Sequence, residues 1–160
     1  MQAVIAIGSN LGDRRANLTA GIEGLGELGV VRVSSLVMET PDESRLGPDY
    51  LNTVALLTTE IEDPRRLLEA LLRIELRSGR DRGQGRNAPR TLDLDLIAVS
   101  GKAGNWIWET PEDLGMLGPE LQLELPHPRA FSRPFVLEPW RALTDAGECS
   151  GVIPGNHPPA

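Results

Sequence analysis

Thr91-Leu92-Asp93-Leu94-Asp95-Leu96-Ile97-Ala98-Val99 is the stretch on which the reading of this chain turns. Successive side chains of a β-strand point to opposite faces, so Leu92, Leu94 and Leu96 share one face and Asp93 and Asp95 the other. The leucines pack a core. The aspartates stand side by side about 6 to 7 Å apart at their bases, within reach of a pair of divalent cations about 3.5 to 4 Å apart. Two neighbouring carboxylates repel each other and lose hydration when half-buried, and a hard, oxygen-seeking ion such as Mg²⁺ offsets both costs. The plainer alternative is an amphipathic edge strand with a solvated acidic face, and the segment alone leaves both open.

Upstream, Val4 to Ile7 reads as a short buried strand running into Gly8-Ser9-Asn10-Leu11-Gly12, a turn-rich exit. Asp13 is a suitable N-cap for a helix with Leu18, Ile22 and Leu25 at helical spacing, which Gly29 is expected to end. Val31, Val33, Ser35 and Val37 alternate as a second strand. Thr40 to Pro48 is a proline-bounded loop, and Tyr50 to Ile61 resumes a β pattern. Asp63-Pro64 starts a second helix, with Leu67, Leu71, Ile74, Leu68 and Leu72 as its apolar stripe and Gly79 as C-cap. Arg80 to Pro89 reads as a mobile surface loop leading into the acidic strand. The order β-α-β-β-α-β predicts an α/β (α+β) ferredoxin-like sandwich, an antiparallel sheet with helices on one face. Beyond Ser100, Asn105 to Glu109 and Leu121 to Leu125 are expected to pair, and Pro134 to Leu143 to form a helix interrupted at Pro139. These make a C-terminal extension of a single domain over 1–145, with 146–160 a disordered tail.

At 160 residues the chain buries a real core in one domain. Its net charge of -7 argues against a duplex nucleic-acid partner, although Arg73, Arg77, Arg80, Arg82, Arg86 and Arg90 make one segment locally basic. Aromatic content of 4% and the lack of paired strand aromatics argue against a ferredoxin-like RNA-binding module. The single Cys149 suits a reducing cytosol, and the apolar run Ala3 to Ile7 is too short for a signal or a membrane span. The expectation is a cytoplasmic, monomeric protein with small-molecule partners and no membrane.

The arginine loop lies next to the aspartate strand, and guanidinium forks beside an acidic metal pair suit a polyphosphate. Tyr50 and Asn52 share a face at the start of their strand, a ring to stack on and an amide to read a heterocycle edge. Glu75 borders the apolar stripe, placed to accept from a ribose hydroxyl or to anchor a loop arginine. His127, held between Pro126 and Pro128, is placed for a phosphate. Gly8 to Gly12 meets neither the P-loop nor the dinucleotide spacing, and no histidine accompanies Ser9 for acyl transfer.

Gly8-Ser9-Asn10-Leu11-Gly12-Asp13-Arg14, Asp49-Tyr50-Leu51-Asn52, Glu75 followed by Gly79-Arg80, Pro89 to Leu96, Leu125 to Arg129 and Arg133 to Phe135 together resemble 6-hydroxymethyl-7,8-dihydropterin pyrophosphokinases. The resemblance runs from about Ala3 to Leu143. It implies a ferredoxin-like enzyme of folate biosynthesis that transfers the diphosphate of ATP to a pterin hydroxymethyl group and releases AMP. It implies that Asp93 and Asp95 hold two Mg²⁺ ions and that Arg80 and Arg90 stabilise the transferring phosphates. Arg82, His127 and Arg133 become further polyphosphate contacts and Glu75 a nucleotide contact. Tyr50 and Phe135 sandwich the pterin, Asn52 reads its edge, and Thr40 and Pro41 complete that pocket. Leu96, Leu123 and Glu124 line the adenine site, mostly through backbone.

Three features depart from the family pattern. Asn87 and Ala88 stand where the family has tryptophan and glycine, so an aromatic lid over the pterin is missing. Gly47 replaces the usual glutamine. The stretch Gly101 to Glu120, with Trp106 and Trp108, is longer than usual and is expected to pack beside the adenine edge. The missing tryptophan motivates an alternative function, a catalytically weak or inactive pterin- or nucleotide-binding homologue.

Overall fold

The computed structural model describes residues 1–42, 47–78 and 91–145. The first strand, β1 (Gln2–Ser9), sends Ala3, Ile5 and Ile7 to one face of the sheet and Val4 and Ala6 to the other. Both faces are covered, so the strand is apolar from Ala3 to Ile7. Helix α1 (Arg14–Gly26) begins at Asp13, whose Oδ1 accepts from the Ala16 N–H at 3.1 Å. Its glycines set the packing distance. A Cβ at Gly21 would lie 2.8 Å from Leu92 Cδ1, and one at Gly24 would lie 2.8 Å from Ile74 Cγ2.

The helix ends at Gly26 rather than Gly29, with the Glu27 and Leu28 N–H groups donating to Gly24 and Leu25 carbonyls. Gly29 instead opens β2 (Gly29–Val33), where a Cβ would fall 2.0 Å from the Thr58 carbonyl oxygen. The second strand is also shorter than its alternation predicts. After Val33 the chain kinks, because Ser34 Oγ accepts from the Leu36 N–H and Thr53 Oγ1 donates to the Leu36 carbonyl. Pairing resumes as β3 (Met38–Thr40), between the expected second strand and the expected loop, of which it takes only the first residue, Thr40. Both β2 and β3 pair with β4 (Tyr50–Thr59), so one edge of the sheet is a single strand broken in two.

Helix α2 (Pro64–Arg77) starts as expected, with Asp63 Oδ1 accepting from the Arg65 N–H and Pro64 in the first turn. Leu67, Leu71 and Ile74 are buried, and the helix ends at Ser78; the expected Gly79 cap and the arginine loop lie outside the described residues. Strand β5 (Asp93–Val99) pairs antiparallel with β1, with an extra residue opposite the Val4–Ile5 step. The sheet order is β2-β4-β1-β5, with every pairing antiparallel, which is the ferredoxin-like arrangement expected.

Beyond β5, β6 (Gly104–Glu109) and β7 (Glu120–Leu125) form the expected hairpin, with a 3-10 turn at Glu112–Leu117. Helix α3 (Pro134–Asp145) differs from expectation in two ways. It continues through Pro139, and it packs on the face opposite α1 and α2, so helices cover both faces of the sheet. Val136, Trp140 and Leu143 recur at i, i+4 and i+7 and are buried against Val4, Val54, Leu56 and Ile97. That burial outweighs the one hydrogen bond to the Phe135 carbonyl that Pro139 cannot make. The proposed tail, 146–160, lies outside the described residues.

Candidate active site

Two surfaces meet along the outer edge of β5. The first is a platform on the α3 side of the sheet. Gly8 of β1 lies between Asn52 of β4 and Asp93 of β5 in one row of the ladder, and Ala6 lies between Val54 and Asp95 in the next. The small residues Gly8 and Ala6 form the floor, with the polar groups of Asn52 and Asp93 flanking Gly8 and that of Asp95 beside Ala6. A Cβ at Gly8 would come within 3.3 Å of both Asn52 Oδ1 and Tyr50 Cδ1, so the carboxamide oxygen and the phenol ring lean over it. Asn52 is buried, and its Nδ2 donates to Thr40 Oγ1 at 2.8 Å and to the Met38 carbonyl at 3.3 Å. With both donors committed to β3, the amide presents its oxygen to the site. Phe135 begins α3 on this side, half-buried, with the Arg133 guanidinium 5.6 Å from its ring centroid.

The turn after β1 braces this platform. Asn10 Nδ2 donates to the Pro48 carbonyl, Arg14 Nη1 donates to the Asp49 carbonyl at 2.9 Å and pairs with Glu39, and Asn17 Nδ2 donates to Ser9 Oγ and the Leu11 carbonyl. The Gly8 to Arg14 motif thus pins the entry of β4, and with it Tyr50 and Asn52. Pro41 follows β3 and is exposed.

The second surface is a cleft of about 700 Å³ between β5, α2 and the β6–β7 hairpin. Leu68, Leu72, Leu94, Leu96, Leu123 and Trp106 supply its apolar lining, and Glu75, Asp93, Asp95, Glu124 and His127 are among the polar groups that line it. Glu75 is 2% exposed, and its Oε2 accepts from the Leu94 N–H at 3.3 Å. This contact is additional to the two roles expected for Glu75, because a carboxylate bordering a helix stripe gives no hint that it faces a strand-edge amide. Since strand amides alternate in direction, the Leu96 N–H and C=O point outward along the same edge. Beyond it the His127 N–H donates to the Ile97 carbonyl at 2.7 Å.

His127 Nδ1 accepts from the Arg129 N–H at 3.2 Å, which leaves the neutral ring's proton on Nε2. Burial depresses its pKa below the ordinary 6.5, the Arg133 and Arg129 charges act in the same direction, and Asp93 and Glu124 oppose them. Asp93 and Asp95 are half-buried and stand on the strand where platform and cleft meet. Two adjacent carboxylates above the small residues Gly8 and Ala6, open to a cleft, fit a hard divalent cation whose remaining ligands come from water and phosphate oxygens.

The structure places Tyr50, Asn52, Thr40 and Phe135 around the platform, and Glu75, Leu96, Leu123, Glu124 and His127 along the cleft. Arg80, Arg82 and Arg90 lie outside the described residues. What the sequence reading missed is the anchoring of the long stretch Gly101 to Glu120. Trp108 Nε1 donates to Glu69 Oε2 at 2.9 Å, and Arg73 holds Asp113 through two bonds of 2.7 and 3.1 Å. The Arg73 guanidinium keeps the Asp113 carboxyl below the usual carboxylate range.

The fold and site define a ferredoxin-like α+β domain with a cleft at one sheet edge. Residues 4–145 match the family model described as 7,8-dihydro-6-hydroxymethylpterin-pyrophosphokinase (HPPK). The chain is 38% identical over 147 residues to the 2-amino-4-hydroxy-6-hydroxymethyldihydropteridine pyrophosphokinase of Mycobacterium leprae, covering 92% of this chain and 74% of that protein. It is 36% identical over 142 residues to the protein of the same name from Mycobacterium tuberculosis strain H37Rv, covering 89% and 72%. A crystal structure of an HPPK-DHPS in complex with substrates aligns with TM-score 0.58 at 15% identity, over 86% of this chain and 39% of that one, a likeness of fold. The chain belongs to the 7,8-dihydro-6-hydroxymethylpterin-pyrophosphokinase family.

Proposed function

We propose that the β5 cleft binds ATP, that the Gly8 platform binds the pterin, and that Asp93 and Asp95 stand where the two substrates meet. Membership of the family makes the chain an ATP-dependent pyrophosphokinase of folate biosynthesis. It transfers the diphosphate of ATP to 6-hydroxymethyl-7,8-dihydropterin and gives AMP and the pterin diphosphate. The observation that carries the residue assignment is the position of the two carboxylates, on the one strand shared by an apolar slot and a polar platform.

In this reading the purine lies against the apolar lining, its edge read by the Leu96 backbone, with Leu123, Glu124 and Glu75 around it. The triphosphate runs toward Asp93 and Asp95, where His127 donates from Nε2 to a phosphate oxygen and Arg133 supplies positive charge. Arg80, Arg82 and Arg90 are assigned to the phosphates by their motif positions. Tyr50 and Phe135 stack on the pterin, Asn52 accepts from its donor edge, and Thr40 and Pro41 close that pocket. Asp93 and Asp95 would hold two Mg²⁺ ions, which would neutralise the phosphates and acidify the pterin hydroxyl.

The pterin hydroxyl oxygen forms a bond to the β-phosphorus while the bond from that phosphorus to the α,β-bridging oxygen breaks. AMP leaves with the electron pair, and the hydroxyl proton is released. The protein's part is positioning and charge neutralisation, as phosphoryl transfer requires. We assign this activity to a monomeric domain over 1–145 in the cytoplasm, a reading supported by the single cysteine and the net charge of -7. Among the described residues no helix is long and apolar enough to cross a membrane. The inactive-homologue reading has no support, since the chain keeps both carboxylates.

The test is product identification with purified protein, Mg²⁺, ATP and 6-hydroxymethyl-7,8-dihydropterin. Equal amounts of AMP and pterin diphosphate are expected. ADP with a pterin monophosphate, or no turnover, would reject the proposal.

A further inference from the structure

We propose that Trp106 is a nucleobase-contacting residue, its indole forming the wall against which the purine of ATP packs. The proposal rests on the nucleotide reading of the cleft given above. In β6 the side chains alternate, with Asn105, Ile107 and Glu109 exposed while Trp106 and Trp108 turn inward toward α2 and β5. The two tryptophans then differ. Trp108 commits its indole N–H to Glu69, whose carboxylate is 2% exposed and accepts at both oxygens from Arg66. Trp106, directly opposite Leu123 in the hairpin, lines the cleft itself.

The geometry makes Trp106 a fixed surface rather than a loose side chain. Gly104, with φ +145°, lies beneath its benzo ring, where a Cβ would come 3.7 Å from Cη2. The hairpin is tied to α2 by Trp108 and Glu69, its connecting turn is tied by Arg73 and Asp113, and its base is tied by Lys102 Nζ donating to the Glu62 carbonyl. A rigid aromatic wall opposite an outward-facing strand edge suits a flat heteroaromatic ring: the indole takes its face, and the Leu96 backbone takes its donors and acceptors. Asp93, Asp95 and His127 line the same cleft and suit metal-bound phosphates.

The experiment measures calorimetric binding of Mg²⁺ with α,β-methylene-ATP, and separately with tripolyphosphate, which has the phosphates and no base. Trp106→Ala is expected to weaken the nucleotide analogue by about tenfold or more, the size of a lost base–aromatic stack, and to leave tripolyphosphate unaffected. Trp106→Phe should retain most of the affinity. Should Trp106→Ala not fold, intrinsic fluorescence decides: the analogue should change the emission of the wild type and of Trp108→Phe, and not that of Trp106→Phe. Unchanged analogue affinity in Trp106→Ala, equal weakening of both probes, or an emission change that persists in Trp106→Phe would overturn the assignment. Failure of the wild type to bind either probe would instead reject the nucleotide reading of the cleft, and this proposal with it.

Discussion

The two edges of the sheet meet the same physical problem with opposite outcomes. On the β2 edge the strand is short and kinked after Val33, and Val30 stands 68% exposed. The β5 edge is covered instead: Glu75 accepts from the Leu94 N–H, His127 donates to the Ile97 carbonyl, and the β6–β7 hairpin stands off far enough to leave a cleft. An exposed edge is a row of unsatisfied donors and acceptors. A kink blunts one such row, whereas partial covering leaves a cleft beside the other, and the carboxylates of Asp93 and Asp95 lie on the covered edge.

The contrast breaks most readily at the carboxylates. Asp95→Asn should lower kcat by about 10² to 10³, the usual cost of losing one preorganised charge contact, while the melting temperature stays near that of the wild type because the leucine face of β5 is untouched. A variant with near-normal turnover in steady-state assays would return this strand to the same status as β2. Next in size is the edge itself. Glu75→Ala removes the acceptor of a buried amide and should cost about 1 to 3 kcal/mol in urea unfolding, whereas Val30→Thr on the opposite edge should stay within about 0.5 kcal/mol. Equal effects would show that the two edges are held alike.

A smaller effect sharpens the distinction between platform and cleft. Gly8→Ala brings a methyl group within 3.3 Å of Asn52 Oδ1 and Tyr50 Cδ1. The KM for the pterin should rise by roughly tenfold or less through misplacement, with the KM for ATP unchanged. A rise confined to ATP would reverse the assignment of the two surfaces.

Smallest is the pH response of His127. Its folded pKa lies below the unfolded 6.5, so between those values the unfolded chain binds more protons. Stability of the ligand-free protein should therefore be full above pH 6.5 and fall as pH drops toward the folded pKa. An imidazole NMR titration with its midpoint above 6.5 would contradict the burial of this ring.

Much of this was legible because the signals were local. Asp13 and Asp63-Pro64 marked helix starts, strict alternation marked β5, and the carboxylate pair followed from that alternation alone. The misses share a cause, since each depended on a partner distant in sequence. Gly29 read as a helix stop, yet its reason is the Thr58 carbonyl across the sheet. The kink at Ser34 depends on Thr53, and helix α3 passes through Pro139 because Trp140 and Val136 find a buried face on β1, β4 and β5. The burial of Glu69 and Glu75 was equally hidden, since their partners Trp108 and Leu94 lie 39 and 19 residues away. Periodicity locates a stripe and not what the residues beside it meet.

The central claim is that ligands of this protein gather at the β5 edge, nucleotide in the cleft and pterin on the platform. Backbone amide chemical shifts of the labelled protein test it most directly, with Mg²⁺ and α,β-methylene-ATP added first and 6-hydroxymethylpterin second. The account predicts that the nucleotide moves the amides of Leu94 to Ile97 and of Leu123, that the pterin then moves Gly8, Tyr50 and Asn52, and that Val30 to Val33 stay in place. Shifts centred on β2, or a β5 edge unmoved by either ligand, would contradict it.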